Sequence, residues 1–224
     1  MLSNDLHIEA TINLYYDLHL PEGKSGPLPL LIAVHGYGAH KRYMMREALQ
    51  VVPDSFAVAS VQAPHQHFRK TDDGYKVGFG WLTEHRPHES VELHQKFLLD
   101  LIEKLAGDGK IDPTRVYLYG FSQAVGINFR FAFTHPHTLA GVVAVCGGIP
   151  GDLETNADYN AFDAPTLYIY GDDDEFYALE KFREFESKLA ERLSNLTAKQ
   201  YSAKHEITDE MRADITKFFR TAAK

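Results

Sequence analysis

The stretch Arg115-Val116-Tyr117-Leu118-Tyr119-Gly120-Phe121-Ser122-Gln123-Ala124-Val125-Gly126 constrains this chain more than any other, because an apolar, β-prone run halts abruptly at Gly-x-Ser-x-Ala. A serine wedged between a strand and a helix occupies a cramped turn, so the residues two before and two after it must be small. Gly120 and Ala124 meet that need. Crowding lifts the Ser122 hydroxyl out of the sheet edge, and a helix starting behind it points free N–H groups at any oxyanion formed there. A serine that merely caps a helix gives the same local pattern. Both readings stay open on this stretch alone.

The 224 residues, 44% hydrophobic, carry neither repeats nor a Gly/Ser/Pro linker, which suits a single domain over residues 1–224. A net charge of −8 with no compensating basic cluster argues against nucleic acid and anionic membranes as partners. The N-terminus has no basic region followed by an apolar one, and no apolar stretch reaches membrane-spanning length. A soluble, cytoplasmic protein without stable membrane association is expected, and homo-oligomers are compatible with this composition. The lone Cys146 lies in Val142-Val143-Ala144-Val145-Cys146-Gly147, a buried strand by pattern, so a core thiol is expected and no intrachain disulfide can form.

Residues 8–20 alternate apolar and polar, the pattern of a half-buried edge strand. After a turn-rich loop over 21–29, the continuous apolar run 30–34 reads as a strand covered on both faces. It ends in His35-Gly36-Tyr37-Gly38, where two glycines permit a tight turn and present N–H groups at the sheet edge. A short helix is expected over 43–52 and a strand over 56–61. Residues 65–88 read as a long polar and aromatic loop, packed beside a site because it holds the only tryptophan, Trp81. His65-x-His67 and His85-x-x-His88 lack a carboxylate or cysteine at zinc-motif spacing, so no metal is expected.

A helix follows over 87–105, then the elbow strand and its helix, a strand over 140–146, and another over 166–170. That last strand ends in Gly171-Asp172-Asp173-Asp174-Glu175. An amphipathic helix over 177–193, a final strand over 196–201, and a terminal helix around Ile215 complete the order, with His205 in the turn between these two. Alternating strands and helices predict a mostly parallel α/β sheet of about seven strands with helices on both faces. In that architecture the loops after successive strands meet on one rim. Ser122, the acids at 172–174 and His205 each follow a strand, in the chain order serine, acid, histidine that α/β-hydrolases use.

The segment Asp112-Pro113-Thr114-Arg115-Val116-Tyr117-Leu118-Tyr119-Gly120-Phe121-Ser122-Gln123 resembles the elbow of the phospholipase/carboxylesterase family, which includes acyl-protein thioesterases. His35-Gly36-Tyr37-Gly38 resembles its HGxG loop, Ala63-Pro64 followed by Gly80-Trp81 its tryptophan loop, and His205-Glu206-Ile207 its histidine segment. The resemblance implies an α/β-hydrolase with Ser122 as nucleophile, His205 as base, Asp174 as the acid that orients it, and the N–H groups of Tyr37 and Gln123 as oxyanion donors. No cofactor is implied. Two positions depart from the family: Ala124 and Val125 replace two glycines, and Ala39-His40 follow Gly38 where the family carries an acid.

The implied chemistry is hydrolysis of a small-molecule carboxylic ester, with thioesters and lysophospholipids as further candidates. Dienelactone-type hydrolases share the motif order but carry cysteine at the elbow, and a ligand-binding relative would normally lack a triad member. Only 13 residues, 151–163, separate the strand after the elbow helix from the strand bearing the acid. That is too short for a cap domain. An open pocket is therefore expected, bounded by the 66–81 loop with Trp81 and by residues near Gly148 and Phe176.

Overall fold

The computed structural model describes residues 2–24 and 26–222; Met1, Ser25, Ala223 and Lys224, which fall within the expected domain and its 21–29 loop, lie outside the described residues. Seven strands form one sheet: β1 (Tyr16–His19), β2 (Leu28–Val34), β3 (Ala57–Val61), β6 (Ile111–Phe121), β7 (Gly141–Val145), β8 (Thr166–Gly171) and β9 (Leu196–Tyr201). Their spatial order is β1-β3-β2-β6-β7-β8-β9. Every pairing is parallel except that of β1 with β3.

Alternation along the strands divides the core between two layers. Leu30, Ile32, Val34 and Leu118 face one side, where they pack against α2 (Pro87–Gly107), α3 (Gln123–Thr134) and α4 (Leu179–Ala190). Leu31, Ala33, Tyr117 and Tyr119 face the other, under α1 (Lys41–Val51) and α5 (Asp209–Ala222). Both faces being covered, β2 and β3 are buried almost throughout and read as near-continuous apolar runs, broken in β3 only by Ser60, rather than as alternating ones. Residues 151–163 contain turns but no helix, so nothing caps the sheet's C-terminal rim between β7 and β8.

Two expectations from the sequence are corrected. The edge strand is only Tyr16–His19, not 8–20; Ile8 is 94% exposed. Its partner β3 ends at Val61, opposite Tyr16, and one further bond, Gln62 N–H to the Tyr15 carbonyl, closes the ladder before Pro64. The alternating pattern continues where there is no strand to pair with. The expected loop over 65–88 is instead largely a hairpin, β4 (His65–Thr71) and β5 (Gly74–Gly80), turning through Asp72-Asp73 into Gly74 at φ +109°. Its glycines and charges mask strand propensity, whereas the turn chemistry before Gly74 does signal a reversal.

Candidate active site

The elbow forms as its small residues require. Ser122 sits at φ 58°, ψ −121°, a conformation costly for a side-chain-bearing residue and held by its surroundings. A Cβ on Gly120 would lie 2.6 Å from the Asn128 amide and 3.3 Å from the Ala124 side chain, so both flanking positions are sterically committed. Val125 finds room because Gly147 has no side chain; a Cβ there would come within 2.4 Å of the Val125 Cβ and 2.3 Å of the Ser122 carbonyl. The Ser122 N–H donates to the Val145 carbonyl at 2.9 Å, tying the turn to β7.

His205 reaches this serine from the turn after β9. Its Nε2 lies 2.9 Å from Ser122 Oγ, and its Nδ1 lies 2.7 Å from Asp174 Oδ2. The Phe121 and Phe176 rings, with centroids 4.9 and 4.5 Å from that of the imidazole, confine it from two sides. Among the acids that follow β8, the structure separates one clearly. The Asp174 side chain is 0% exposed, and its other oxygen accepts the Phe176 and Tyr177 N–H groups at 2.8 and 3.1 Å. Asp172 and Asp173 are exposed, and only their backbones are engaged, with Tyr201 and Ala203. Glu175 holds the histidine segment from behind by accepting the His205 N–H at 3.0 Å, a contact that no sequence motif announced. Gly171 allows the two loops to meet, since a Cβ there would fall 2.1 Å from the Ala203 carbonyl oxygen.

Tyr37 and Gln123 border the serine from the other side. Neither backbone N–H has a backbone acceptor among the described residues, as expected of the free first turn of α3 for Gln123. The loop carrying Tyr37 lies on the glycine face of the hairpin: the Tyr37 ring stacks on His67 at 4.5 Å and passes so close to Gly80 that a Cβ there would meet it at 3.1 Å. The Gly38 N–H donates to the Phe79 carbonyl at 2.8 Å, and Ala39 bridges Phe79. This backbone pairing braces the loop at the position where the family's acid is missing. The Gln123 side chain grips the same hairpin's exit, accepting the Trp81 N–H at 2.8 Å and donating to the Leu82 carbonyl at 3.1 Å.

His35 fixes the loop's root. The Ala63 N–H donates to its Nε2 at 3.1 Å, which leaves the proton on Nδ1 to bond the Gly36 carbonyl at 2.8 Å. Burial pushes its pKa down to about 4, so the ring is neutral. Cys146 is inert by the same cause, since burial raises its thiol to about 12.

A cavity of about 540 Å³ opens at Ser122 and His205, lined by Tyr37, Tyr43, Phe121, Phe176, Tyr177 and Glu206 among others. Phe176 is among the residues lining it. Trp81 is not: it is 1% exposed, wedged between His35 and His94, and its indole N–H donates to the His35 carbonyl at 2.7 Å. An indole with its only donor satisfied inside the core is a support of the loop, not a wall of the pocket. Gly148 is also displaced from the cavity, lying behind Tyr177, whose hydroxyl would be 3.1 Å from a Cβ there. Tyr43 and Tyr177 carry no motif, and Glu206, although within the histidine segment, has no role assigned from the sequence. His65 and His67 have separate partners: His65 bonds Ser90 Oγ at 2.9 Å while His67 stacks on Tyr37. Among the described residues no group of three His, Cys, Asp or Glu could hold a metal, and no helix is long and apolar enough to cross a membrane.

A mostly parallel seven-stranded sheet sandwiched by helices, with a strained serine, an acid and a histidine on the loops after β6, β8 and β9 at its C-terminal rim, defines the α/β-hydrolase class. Within that class the chain belongs to the phospholipase/carboxylesterase family, whose model matches residues 20–223. A protein of Nocardia uniformis subsp. tsuyamanensis named "Putative esterase NocK" is 30% identical over 161 residues, 69% of this chain. The chain spans 41% of that relative's length. The fold is shared with esterase PE8 (TM-score 0.73, 22% identity, covering 94% of this chain and 100% of that one). It is shared equally with the Bacillus cereus carboxylesterase (TM-score 0.71, 17% identity, covering 93% and 94%).

Proposed function

We propose that this chain, working as one domain, is a serine carboxylesterase that hydrolyses soluble short-to-medium acyl esters through an acyl-serine. The reading is carried by one observation: Ser122 Oγ, His205 and Asp174 are linked by bonds of 2.9 and 2.7 Å. A serine hydroxyl is a poor nucleophile at neutral pH, so His205 Nε2 takes its proton as Oγ bonds to the substrate carbonyl carbon, while Asp174 holds the proton on Nδ1. The oxyanion sits against the N–H groups of Tyr37 and Gln123. The C–O bond to the alcohol then breaks, and the alcohol leaves with the proton from Nε2. Water repeats the sequence on the acyl-serine, releasing the acid and restoring the hydroxyl.

With no cap over residues 151–163, the leaving group faces an open mouth. Each methylene separates substrates by only about 1–3 kcal/mol, so alcohols and thiols are tolerated broadly, and a lipid interface brings no sharp activation. The test joins a fluorophosphonate probe to a series of acyl esters from acetyl to palmitoyl, measured above and below micelle formation. Labelling of Ser122 and turnover of monomeric short esters are expected. Labelling elsewhere, or rates that rise only on micellar long-chain ester, overturn the reading.

A further inference from the structure

The cavity at Ser122 has a wall chemistry that an acyl chain alone does not call for. Five aromatic residues line it, Tyr37, Tyr43, Phe121, Phe176 and Tyr177, together with one acidic residue, the exposed Glu206. Neither lysine nor arginine is among the lining residues. Phe176 and Tyr37 are 74% and 61% exposed, so two of these rings stand at the mouth with open surface. The Glu206 backbone is pinned, its N–H donating to the Lys204 carbonyl at 2.8 Å and its own carbonyl accepting the Cys146 thiol at 3.6 Å. Its carboxylate has neither a hydrogen bond nor an ion pair among the described residues. The neighbouring Lys204 and the Glu175 carboxylate are occupied with each other and, for Glu175, with the His205 N–H.

An aromatic wall alone suits any apolar group. Aromatic faces combined with one uncompensated negative charge suit a cation, which gains from the ring quadrupoles and from the carboxylate together. The chain's net charge of −8 acts in the same direction at longer range, drawing cations and repelling anionic substrates. We infer that the preferred substrates are esters whose alcohol portion carries a fixed positive charge, such as a quaternary ammonium, seated among Tyr37, Phe176 and Glu206. This deepens the esterase reading above and rests on it. The reaction is unchanged: the alcohol leaves with the proton from His205 and keeps its charge throughout.

The test compares two esters of the same acid, 2-(trimethylammonio)ethyl butyrate and its uncharged isostere 3,3-dimethylbutyl butyrate. At low ionic strength the cationic ester should show kcat/KM about tenfold higher, equivalent to about 1.4 kcal/mol. Half-molar NaCl should shrink that ratio, and Glu206→Gln should bring it close to parity, mainly through KM. Parity or preference for the neutral isostere in the wild type overturns the inference, as does a ratio that Glu206→Gln leaves intact. Titration of choline into the Ser122→Ala protein separates this question from turnover. Saturable binding weakened severalfold by Glu206→Gln is expected even if neither ester is hydrolysed, and absence of binding sinks the inference while leaving the esterase reading to its own test.

Discussion

The two corners that meet at Ser122 are built on opposite principles. On the acid side, the charged oxygens of Asp174 and Glu175 accept hydrogen bonds from His205 and from neighbouring backbone N–H groups, so the polar restraints dominate, with the Phe121 and Phe176 rings flanking the imidazole. On the loop side, Tyr37 is restrained by a stacked ring and by the bare backbone of Gly78 and Gly80, with Gly38 N–H to Phe79 and the Gln123 amide as its polar ties. A hydrogen-bonded corner fails when a named functional group is removed. A corner packed on glycine fails when something is added. The two therefore answer to different substitutions, and a set of variants can tell them apart.

The largest effect is expected where both corners act on one atom. Ser122→Ala fits the elbow, since alanine is no larger than serine, and it should lower kcat by about 10⁵–10⁶ while the protein stays folded. A variant retaining a tenth of wild-type turnover would remove the serine from the chemistry and end the comparison.

The acid corner comes next. Asp174→Asn should leave the imidazole in the wrong tautomer and cost about 10⁴ in kcat, whereas Asp172→Asn, exposed and bonded only through its backbone, should stay within a few-fold of wild type. Steady-state rates of the two variants, measured side by side, decide it. A loss confined to Asp172→Asn would shift the acid and undo the hydrogen-bond account of this corner.

Addition is the probe for the glycine corner. A methyl group at residue 78 would lie 3.0 Å from the Gly38 Cα and carbonyl oxygen, and one at residue 80 would lie 3.1 Å from the Tyr37 ring. Gly78→Ala and Gly80→Ala should displace the proposed oxyanion loop and lower kcat about 10²-fold with little change in KM, because the loop's N–H bonds an oxygen whose charge appears only in the transition state. Unchanged kcat in both variants would show that the hairpin merely covers the loop.

The smallest effect concerns the support behind that loop. His94 is fully buried against Trp81 and has no hydrogen-bond partner on either nitrogen; burial lowers its pKa to about 3. The unfolded chain binds a proton at about pH 6.5 that the folded chain refuses, so this stability is fully present above about 6.5 and is lost as the pH falls toward 3. Between pH 7.5 and 5 the wild type should lose about 2 kcal/mol more than His94→Leu in urea unfolding. Equal losses would mean that the histidine behind Trp81 is not excluded from protonation. His35, lowered to about 4 by burial, adds to the same slope in both proteins.

The sequence alone determined the parts whose chemistry is local: the Gly120-Ser122-Ala124 elbow, the buried runs of β2, β3 and β7, and the serine–acid–histidine order along the chain. Cramped turns demand small residues, and doubly covered strands demand continuous apolar ones, so composition over a few positions suffices. Tertiary structure decided what depends on which surfaces meet. The family resemblance points to Asp174 among its acidic neighbours, but only the fold gives the physical reason: its side chain is buried against His205, while Asp172 and Asp173 stay exposed. Only the fold could turn 65–80 into a hairpin whose absent side chains make the seat for Tyr37, send Trp81 into the core, and gather Tyr43, Tyr177 and Glu206 around the serine. These are contacts between segments far apart in the chain, and no periodicity within one segment encodes them.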